Sequence, residues 1–135
     1  MDRNLMNISK VERFYKMLFY KKGITDNIFV GNLPSTLSTT MTNMMLIDCS
    51  VGISDLHSHG SGSVNVYLYA RPIGTTMEKD IKTLNAMENA LSTTLDTNVS
   101  PDYSVDINWH DCGYDTNRNL HYDVVNIKLA ELFTL

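Results

Sequence analysis

The chain has 135 residues, the length of one domain, and 43% of them are hydrophobic, as in a globular fold. Eleven Lys and Arg residues against fifteen Asp and Glu give a net charge of -4, and no basic run extends beyond Lys21 and Lys22. This balance argues against a nucleic-acid-binding protein, and the lack of an apolar run of about 20 residues argues against a membrane span. The start of the chain (MDRNLMNISK) lacks the apolar core of a signal peptide, so we expect a soluble protein made in a cytoplasm.

The first predicted element is a helix over residues 9–22. Ser9 and Glu12 have the spacing of a capping box, in which both side chains bond free backbone N–H groups at a helix start. A short strand is predicted at residues 27–30. The Ser- and Thr-rich segment 31–42 is polar and contains one proline, so it is expected to form an extended surface arm.

Two strands and a loop follow. Residues 43–51 alternate between two partly apolar faces and predict a strand that is central or meets a partner. Residues 52–62 are rich in Gly, Ser and His and predict a long loop. Residues 63–71 predict a strand, since Val and Leu alternate there with polar and aromatic residues. The polar, aromatic face of this strand carries Tyr67, Tyr69 and Arg71.

A long helix is predicted over residues 75–95. Pro72 and Gly74 end the preceding strand, and Thr75 with Glu78 again has the capping-box spacing. Apolar residues then recur at spacings of three, four or seven, which gives a stripe able to lie on a sheet. These residues are Met77, Ile81, Leu84, Leu91 and Leu95.

Two further strands are predicted at residues 103–110 and 121–132, joined by a long polar hairpin tip at residues 111–119. In the last strand we expect Val125, Ile127 and Leu129 to point inward and Asn126 and Lys128 outward. The order of elements predicts a single α+β domain over residues 1–135. It combines a mostly antiparallel sheet of about four to five strands with a short N-terminal helix and one long helix packed on it.

The strongest sign of chemistry is the sequence DLHSH at residues 55–59. Two histidines two positions apart, with a carboxylate nearby, can bind Zn²⁺, and the segment resembles the first metal motif of the polymerase-and-histidinol-phosphatase family. That family needs several later ligands, whereas only His110 and His121 follow here, without its spacing. We therefore predict a solvated loop and no catalytic, cofactor or metal site. A small metal-dependent hydrolase using Asp55, His57 and His59 remains an alternative.

The two cysteines stand in unrelated contexts. Cys49 is expected to be a buried thiol, because a cytoplasm keeps cysteines reduced. Cys112 follows His110 and Asp111, but neighbouring residues on a strand point to opposite faces, so this run predicts a strand end and not an activated nucleophile.

Taken whole, the chain resembles the tail-terminator and tail-completion proteins of bacteriophages, which are small ring-forming subunits of the neck and tail. The resemblance lies in the order of the elements over most of the chain. It is carried by the N-terminal helix, the polar arm, the strand VNVYLYAR, the helix TMEKDIKTLNAMENALSTTL and the late hairpin ending in HYDVVNIKLAEL. The loop at residues 55–59 and the length of the arm depart from the usual pattern of this family.

This resemblance implies a structural virion protein without enzymatic activity, made in the host bacterial cytoplasm. The subunit would form a homo-oligomeric ring, six- or twelve-fold, that joins the portal–connector to the tail. Its partners would be further copies of itself and other neck and tail proteins, with no nucleic-acid specificity and no membrane. Such a head-to-tail ring uses heterologous interfaces.

Candidate interface residues come from the aromatic strand face and the predicted hairpin tip, because Tyr and Arg are enriched at interface hot spots. They are Tyr67, Tyr69, Arg71, Asp111, Tyr114, Asp115 and Arg118. A second alternative is an adaptor that binds another protein by strand addition at an exposed edge, such as residues 44–51.

Overall fold

The computed structural model describes residues 8–49, 53–56, 59–97 and 103–131. These residues form two helices and six strands, in agreement with the predicted α+β class. In chain order the elements are α1 (Ile8–Phe19), β1 (Ile28–Val30), β2 (Asn43–Asp48), β3 (Ile53–Leu56), β4 (His59–Ala70), α2 (Ile81–Thr97), β5 (Tyr103–Asp115) and β6 (Leu120–Glu131).

The strands form one sheet in the order β1-β2-β4-β6-β5, and β3 pairs with the first part of β4. All pairs are antiparallel except β1 with β2, which are parallel. β2 therefore has a neighbour on both sides at residues 45–47, so the prediction of an exposed edge at residues 44–51 is wrong for this part. The outer strands of the order are the three-residue β1 and the 13-residue β5.

The predicted loop at residues 52–62 is instead largely a β-hairpin. β3 pairs with the start of β4, with Ile53 opposite Gly62 and Leu56 opposite His59. β4 is 12 residues long and extends beyond the end of β2, so its free backbone groups are available to pair with β3. This pairing explains why the sheet has six strands, one more than the upper end of the prediction.

The long helix begins later than the capping-box spacing predicts. α2 starts at Ile81, and Asp80 is its N-cap: the Thr83 backbone N–H donates to Asp80 Oδ1 at 3.1 Å, and the Thr83 hydroxyl donates to Asp80 Oδ2 at 2.7 Å. Thr76 donates to the carbonyl of Ile73, within the connection that precedes the helix. As a result, Met77 lies outside the helix and is exposed. Ile81, in the first turn of the helix, is also exposed, whereas Leu84, Leu91 and Leu95 are buried.

The hairpin between β5 and β6 has a much shorter tip than predicted. Residues 111–115 belong to β5, and β6 begins at Leu120. The Asp115 carboxylate closes the turn, since its Oδ1 accepts hydrogen bonds from the backbone N–H groups of Asn117 at 3.0 Å and Arg118 at 3.2 Å. Strand pairing can therefore run up to residue 115.

Apolar side chains pack on both faces of the sheet. α1 and α2 cover one face, called here the helix face, and the larger core lies beneath them. It includes Val11, Tyr15, Phe19, Met45, Ile47, Val64, Val66, Leu68, Leu84, Leu91, Val125 and Ile127. The opposite face, called the outer face, has a smaller core of Leu33, Met44, Leu46, Tyr69 and Leu120. β2 serves both cores because neighbouring strand residues point to opposite faces. The side chain of Leu129, predicted to point inward, lies outside the described residues.

The segment 31–42 differs from the exposed arm that its composition predicts, because it lies across the outer face. It contacts the smaller core through Leu33, Leu37 and Met41. Arg71 holds the end of the segment in place: its Nε donates to the Met41 carbonyl at 2.6 Å and its Nη2 donates to the Ser38 carbonyl at 3.1 Å. These apolar residues lie at every fourth position and make the contacts. The abundant Ser and Thr residues between them gave the segment the composition of an exposed loop.

Candidate functional site

Three tyrosines form an aromatic cluster on the outer face, beside the segment 31–42. Tyr67 and Tyr69 are two positions apart on β4 and so point to the same face, and Tyr122 lies directly opposite Tyr69 on β6. The ring centroids are 6.0 Å apart for Tyr67 and Tyr69, and 5.5 Å apart for each of these rings and Tyr122. Aromatic rings attract one another at these separations, so the three side chains support one another's positions.

A glycine in β5 makes room for the third ring. Gly113 pairs with Tyr122, and a Cβ atom built on Gly113 would lie 2.5 Å from Tyr122 Cζ and 3.1 Å from Cε1. Such distances are well below van der Waals contact, so the tip of the Tyr122 ring fits against Gly113 only because position 113 has no side chain.

The tyrosine cluster forms one wall of an open cleft of about 340 Å³, called here the tyrosine cleft. Two chain segments close its other sides: the start of the segment 31–42, and the turn between β5 and β6. The lining residues are Gly31, Asn32, Leu33, Leu46, Asp48, Tyr67, Tyr69, Tyr114, Asp115, Arg118 and Tyr122.

The turn between β5 and β6 contributes an ion pair to the cleft. Arg118 Nη1 lies 3.1 Å from Asp115 Oδ2, and both side chains are partly exposed. Arg118 Nε is buried and has no hydrogen-bond partner among the described residues. An interaction of this kind between partly exposed groups adds little to stability, so its main effect is to fix the guanidinium at the cleft wall.

Two phenol groups of the cleft, those of Tyr67 and Tyr69, are held in their neutral form. Burial raises the pKa of Tyr69 above its usual value of 10.0, and the nearby Tyr67 and Asp115 raise it further. Burial also raises the pKa of Tyr67, although a hydrogen bond with Asn65 works in the opposite direction. Both hydroxyl groups therefore remain hydrogen-bond donors at neutral pH, and neither is activated as a nucleophile.

A row of asparagines continues the outer face beyond the tyrosines. Asn126 was predicted to point outward, and it does lie on the outer face, but it is only 1% exposed. Its Nδ2 donates to Asn65 Oδ1 at 2.8 Å, and its Oδ1 accepts from Asn108 Nδ2 at 3.1 Å. Because both polar atoms of its amide are satisfied, Asn126 can be buried at little cost.

The structure brings together five of the seven predicted interface residues. Tyr67, Tyr69, Tyr114, Asp115 and Arg118 all line the tyrosine cleft. Tyr114 borders it from β5, but it pairs with His121 and its ring packs against His121 on the helix face.

The other two predicted residues lie elsewhere. Arg71 is used within the chain to hold the segment 31–42. Asp111 is exposed on β5 outside the cleft, and its Oδ1 accepts a hydrogen bond from the Cys112 backbone N–H at 2.8 Å. The cleft residues include several tyrosines and an arginine, which are residue types enriched at protein interfaces.

Sequence reasoning missed Tyr122 and Asp48 as members of this site. Tyr122 belongs to the alternating run of the last predicted strand, on the same face as Asn126. The period of two could therefore have assigned its side chain to that face. Its position opposite Tyr69 depends on the strand register, which no local pattern specifies. Asp48 lines the cleft because it lies two positions after Leu46 on β2.

The histidine motif is only partly within the described residues. Asp55 pairs with Gly60, and His59 pairs with Leu56, in the β3–β4 hairpin; His57 lies outside the described ranges. Among the side chains that the structure describes, no group of three or more His, Cys, Asp or Glu residues could hold a metal ion.

The two cysteines are free and lie in different environments. Cys49 is buried, and burial, with contributions from Glu12 and Asp48, raises the pKa of its thiol to about 11. Cys112 is exposed on β5. A thiol whose pKa is raised in this way is a poor nucleophile at neutral pH.

Within the described ranges, neither helix is long and apolar enough to cross a membrane. A comparison with models of known protein families found no family that matches the chain. A comparison with curated proteins likewise found no significant match. The functional assignment therefore depends on the fold and its surfaces.

Proposed function

We propose that the protein is a structural subunit of a homo-oligomeric ring in the neck or tail of a bacteriophage, where it joins the portal–connector to the tail and has no catalytic role. Two features support the proposal. The first is the resemblance in element order described above. The second, which carries the argument, is the open edge of β5.

β5 is the last strand of the sheet order and is 13 residues long. Its side chains at residues 106–108 and 110–112 are exposed. A bulge lies between Ile107 and Trp109, but from Trp109 to Asp115 the pairing with β6 is regular. An edge of this length presents a row of backbone N–H and C=O groups, which is a template for another chain.

Proteins that stay monomeric usually shorten, cover or interrupt such an edge. The only interruption in the register of β5 with β6 among the described residues is that one bulge, and β5 is far longer than the three-residue strand at the other end of the sheet. An outer strand of this kind suits a subunit whose free backbone groups pair with a neighbouring subunit. The cleft corner formed by Asp115 and Arg118 lies at the end of the same strand, where it can add polar contacts.

Light scattering coupled to size-exclusion chromatography tests the proposal on the full chain over a range of concentrations. We expect a particle of six or twelve times the 15.3 kDa subunit mass, with a ring visible by negative-stain electron microscopy. Immunogold labelling of virions should place the protein at the neck or tail.

A chain that stays monomeric at every concentration and is absent from virions would overturn the proposal. A monomer that instead captures a strand from a different protein at β5 would favour the adaptor alternative. The open edge of β5 is the observation that favours the adaptor alternative, and the mass measurement distinguishes an adaptor from a ring subunit.

A further inference from the structure

α1 has a second, outward-facing stripe that its own subunit leaves uncovered. Arg13, Lys16, Met17 and Tyr20 follow one another at spacings of three, one and three, so they share the side of the helix opposite the core. All four are exposed, with Met17 at 71% and Tyr20 at 59%. Two exposed large apolar side chains beside two cations are unusual for a purely solvated helix face. These four residues are called here the α1 stripe.

A matching surface lies at the other end of the sheet. Among the described residues, α1 packs mainly on β1 and β2, and α2 packs mainly on β4, so neither helix has β5 as a main contact. Two helices side by side are roughly 16–20 Å wide, whereas five strands at about 4.8 Å spacing span about 24 Å, so a strip about one strand wide stays open. On the helix face this strip runs between α2 and β5, and it is called here the β5 groove.

The groove has apolar walls. On the α2 side, Met77 is 58% exposed and Ile81 is 61% exposed; on the β5 side, Ile107 is 41% exposed. The two sides are close, because the Tyr114 hydroxyl lies 4.0 Å from Met77 Sδ. Exposed large apolar side chains of the described residues therefore fall mainly into two sets, one on the α1 stripe and one around the β5 groove.

The floor of the groove is acidic. Asp123 lies there, paired with Lys79 at 2.7 Å, and Glu88 lies beside it on the same stripe of α2 as Ile81. Burial raises the pKa of Glu88 and the charge of Asp123 raises it further, although His110 and Lys79 oppose this shift. A cation from outside the subunit would add to the single ion pair that Asp123 makes with Lys79.

The charge of the chain is divided in the same way. Residues 8–22 carry five Lys and Arg against one acidic residue, whereas residues 23–135 carry five against thirteen. The basic helix and the acidic groove lie at opposite ends of one sheet. Complementary surfaces at opposite ends of a subunit join copies head to tail, which is the geometry that closes into a ring.

We propose that the α1 stripe of one copy docks in the β5 groove of the next copy. This inference rests on the proposed ring and names the contact that would build it. Met17 and Tyr20 cover the apolar walls of the groove, and Arg13 and Lys16 face its carboxylates. A second copy is the occupant because the same chain supplies both surfaces with opposite charge.

Disulfide trapping tests the contact directly, because Cys112 is a native exposed thiol on β5. Under a mild oxidant such as diamide, Met17→Cys is expected to give a ladder of disulfide-linked multimers. The matched control is Thr39→Cys, an exposed position in the segment on the outer face. Met17→Cys with Cys112→Ser should lose the ladder.

Charge reversal tests the energetics of the same contact. Arg13→Glu with Lys16→Glu, or Glu88→Lys alone, is expected to raise the concentration needed for half-assembly by about tenfold or more, and a chain with all three changes should recover most of that loss. Lys128→Glu, at an exposed position on the outer face, is the control and should change assembly less than about twofold. Far-UV circular dichroism establishes that each variant is folded.

The outcomes separate the two proposals. If the wild-type chain forms a ring but Met17→Cys crosslinks no more than Thr39→Cys, the docking inference is wrong and the ring stands. If the ring persists unchanged in the charge variants, the inference is also overturned. If the wild-type chain is monomeric and absent from virions, the proposed function itself fails.

Discussion

The close fit of Gly113 against Tyr122 provides a quantitative test of the tyrosine cleft. In Gly113→Ala, the new Cβ would lie 2.5 Å from Tyr122 Cζ and 3.1 Å from Cε1. Ordinary carbon–carbon contact is about 3.5–4.0 Å, so the ring must move by about 1 Å. Tyr67 and Tyr69 limit the movement of the Tyr122 ring on their side, because each lies 5.5 Å from it.

Overpacking of this kind costs about 1–3 kcal/mol. Tyr122 is partly exposed and can tilt toward solvent, so we expect Gly113→Ala to lower the free energy of unfolding by about 1–2 kcal/mol. The same change in a Tyr122→Ala background removes the clash. There it should be neutral or stabilising by about 0.5 kcal/mol, since alanine is favoured over glycine within a strand.

Urea unfolding at one fixed protein concentration, followed by circular dichroism, measures all four corners of this cycle. The expected interaction energy between positions 113 and 122 is about 2 kcal/mol. Near-ultraviolet circular dichroism should also change in Gly113→Ala, because the environment of the tyrosine rings changes. Additive effects, with the same cost of Gly113→Ala in both backgrounds, would refute the packing described here.

Three further predictions concern other parts of the fold. Asn126→Ala should lower the free energy of unfolding by about 2–3 kcal/mol, because it removes two hydrogen bonds and a buried side chain. Asn108→Ala removes only one of these bonds and leaves Asn126 Oδ1 without its protein partner, so it should cost about 1 kcal/mol. Equal costs in urea unfolding would contradict the buried network. Arg71→Ala should release the segment 31–42 and speed its cleavage in limited proteolysis severalfold, read by mass spectrometry, and an unchanged cleavage pattern would count against its anchoring role. Tyr15 is fully buried, and its hydroxyl has no hydrogen-bond partner among the described residues. Burial raises the pKa of Tyr15 above the usual 10.0. The folded state therefore keeps a proton that the unfolded chain loses as the pH rises above about 10. Stability should therefore fall with rising pH in this range, and Tyr15→Phe should reduce the fall without loss of stability at pH 7; an unchanged alkaline profile would refute this assignment.

Periodicity was sufficient to predict the main elements of the helix-face core. The period of two over residues 63–70 places Val64, Val66 and Leu68 on one face, and all three are buried under the helices. The helical stripe likewise identifies Leu84 and Leu91 as core residues. These signals are local, since they depend only on which side chains share a face.

The parts that were wrong depend on competition between neighbouring groups. Thr75 and Asp80 both follow patterns that suit a helix start, and the structure uses Asp80, after the segment that contains Gly74 in a left-handed conformation with a φ of 58°. The Gly- and Ser-rich residues 53–62 have weak strand preference, but β4 offers them free backbone partners. In each case the choice depends on contacts that a local pattern does not contain.

The tyrosine cleft was predicted in part. Periodicity identified the face that carries Tyr67 and Tyr69, but it did not predict that the segment 31–42 covers part of that face. Tyr122 lies beside these two residues because of the register of β4 with β6. Arg118 reaches the cleft because Asp115 closes the turn between β5 and β6. Register between distant strands is a tertiary property, so residue patterns alone could not establish the complete site.

The mass of the particle that the wild-type chain forms is the most direct test of the central claim, that this subunit assembles with further copies of itself into a closed ring. Native mass spectrometry of the full chain measures it without a label or a variant. We expect one dominant species at six or twelve times 15.3 kDa. A single species at 15.3 kDa across the whole concentration range, or an open series of increasing masses without a preferred size, would contradict it.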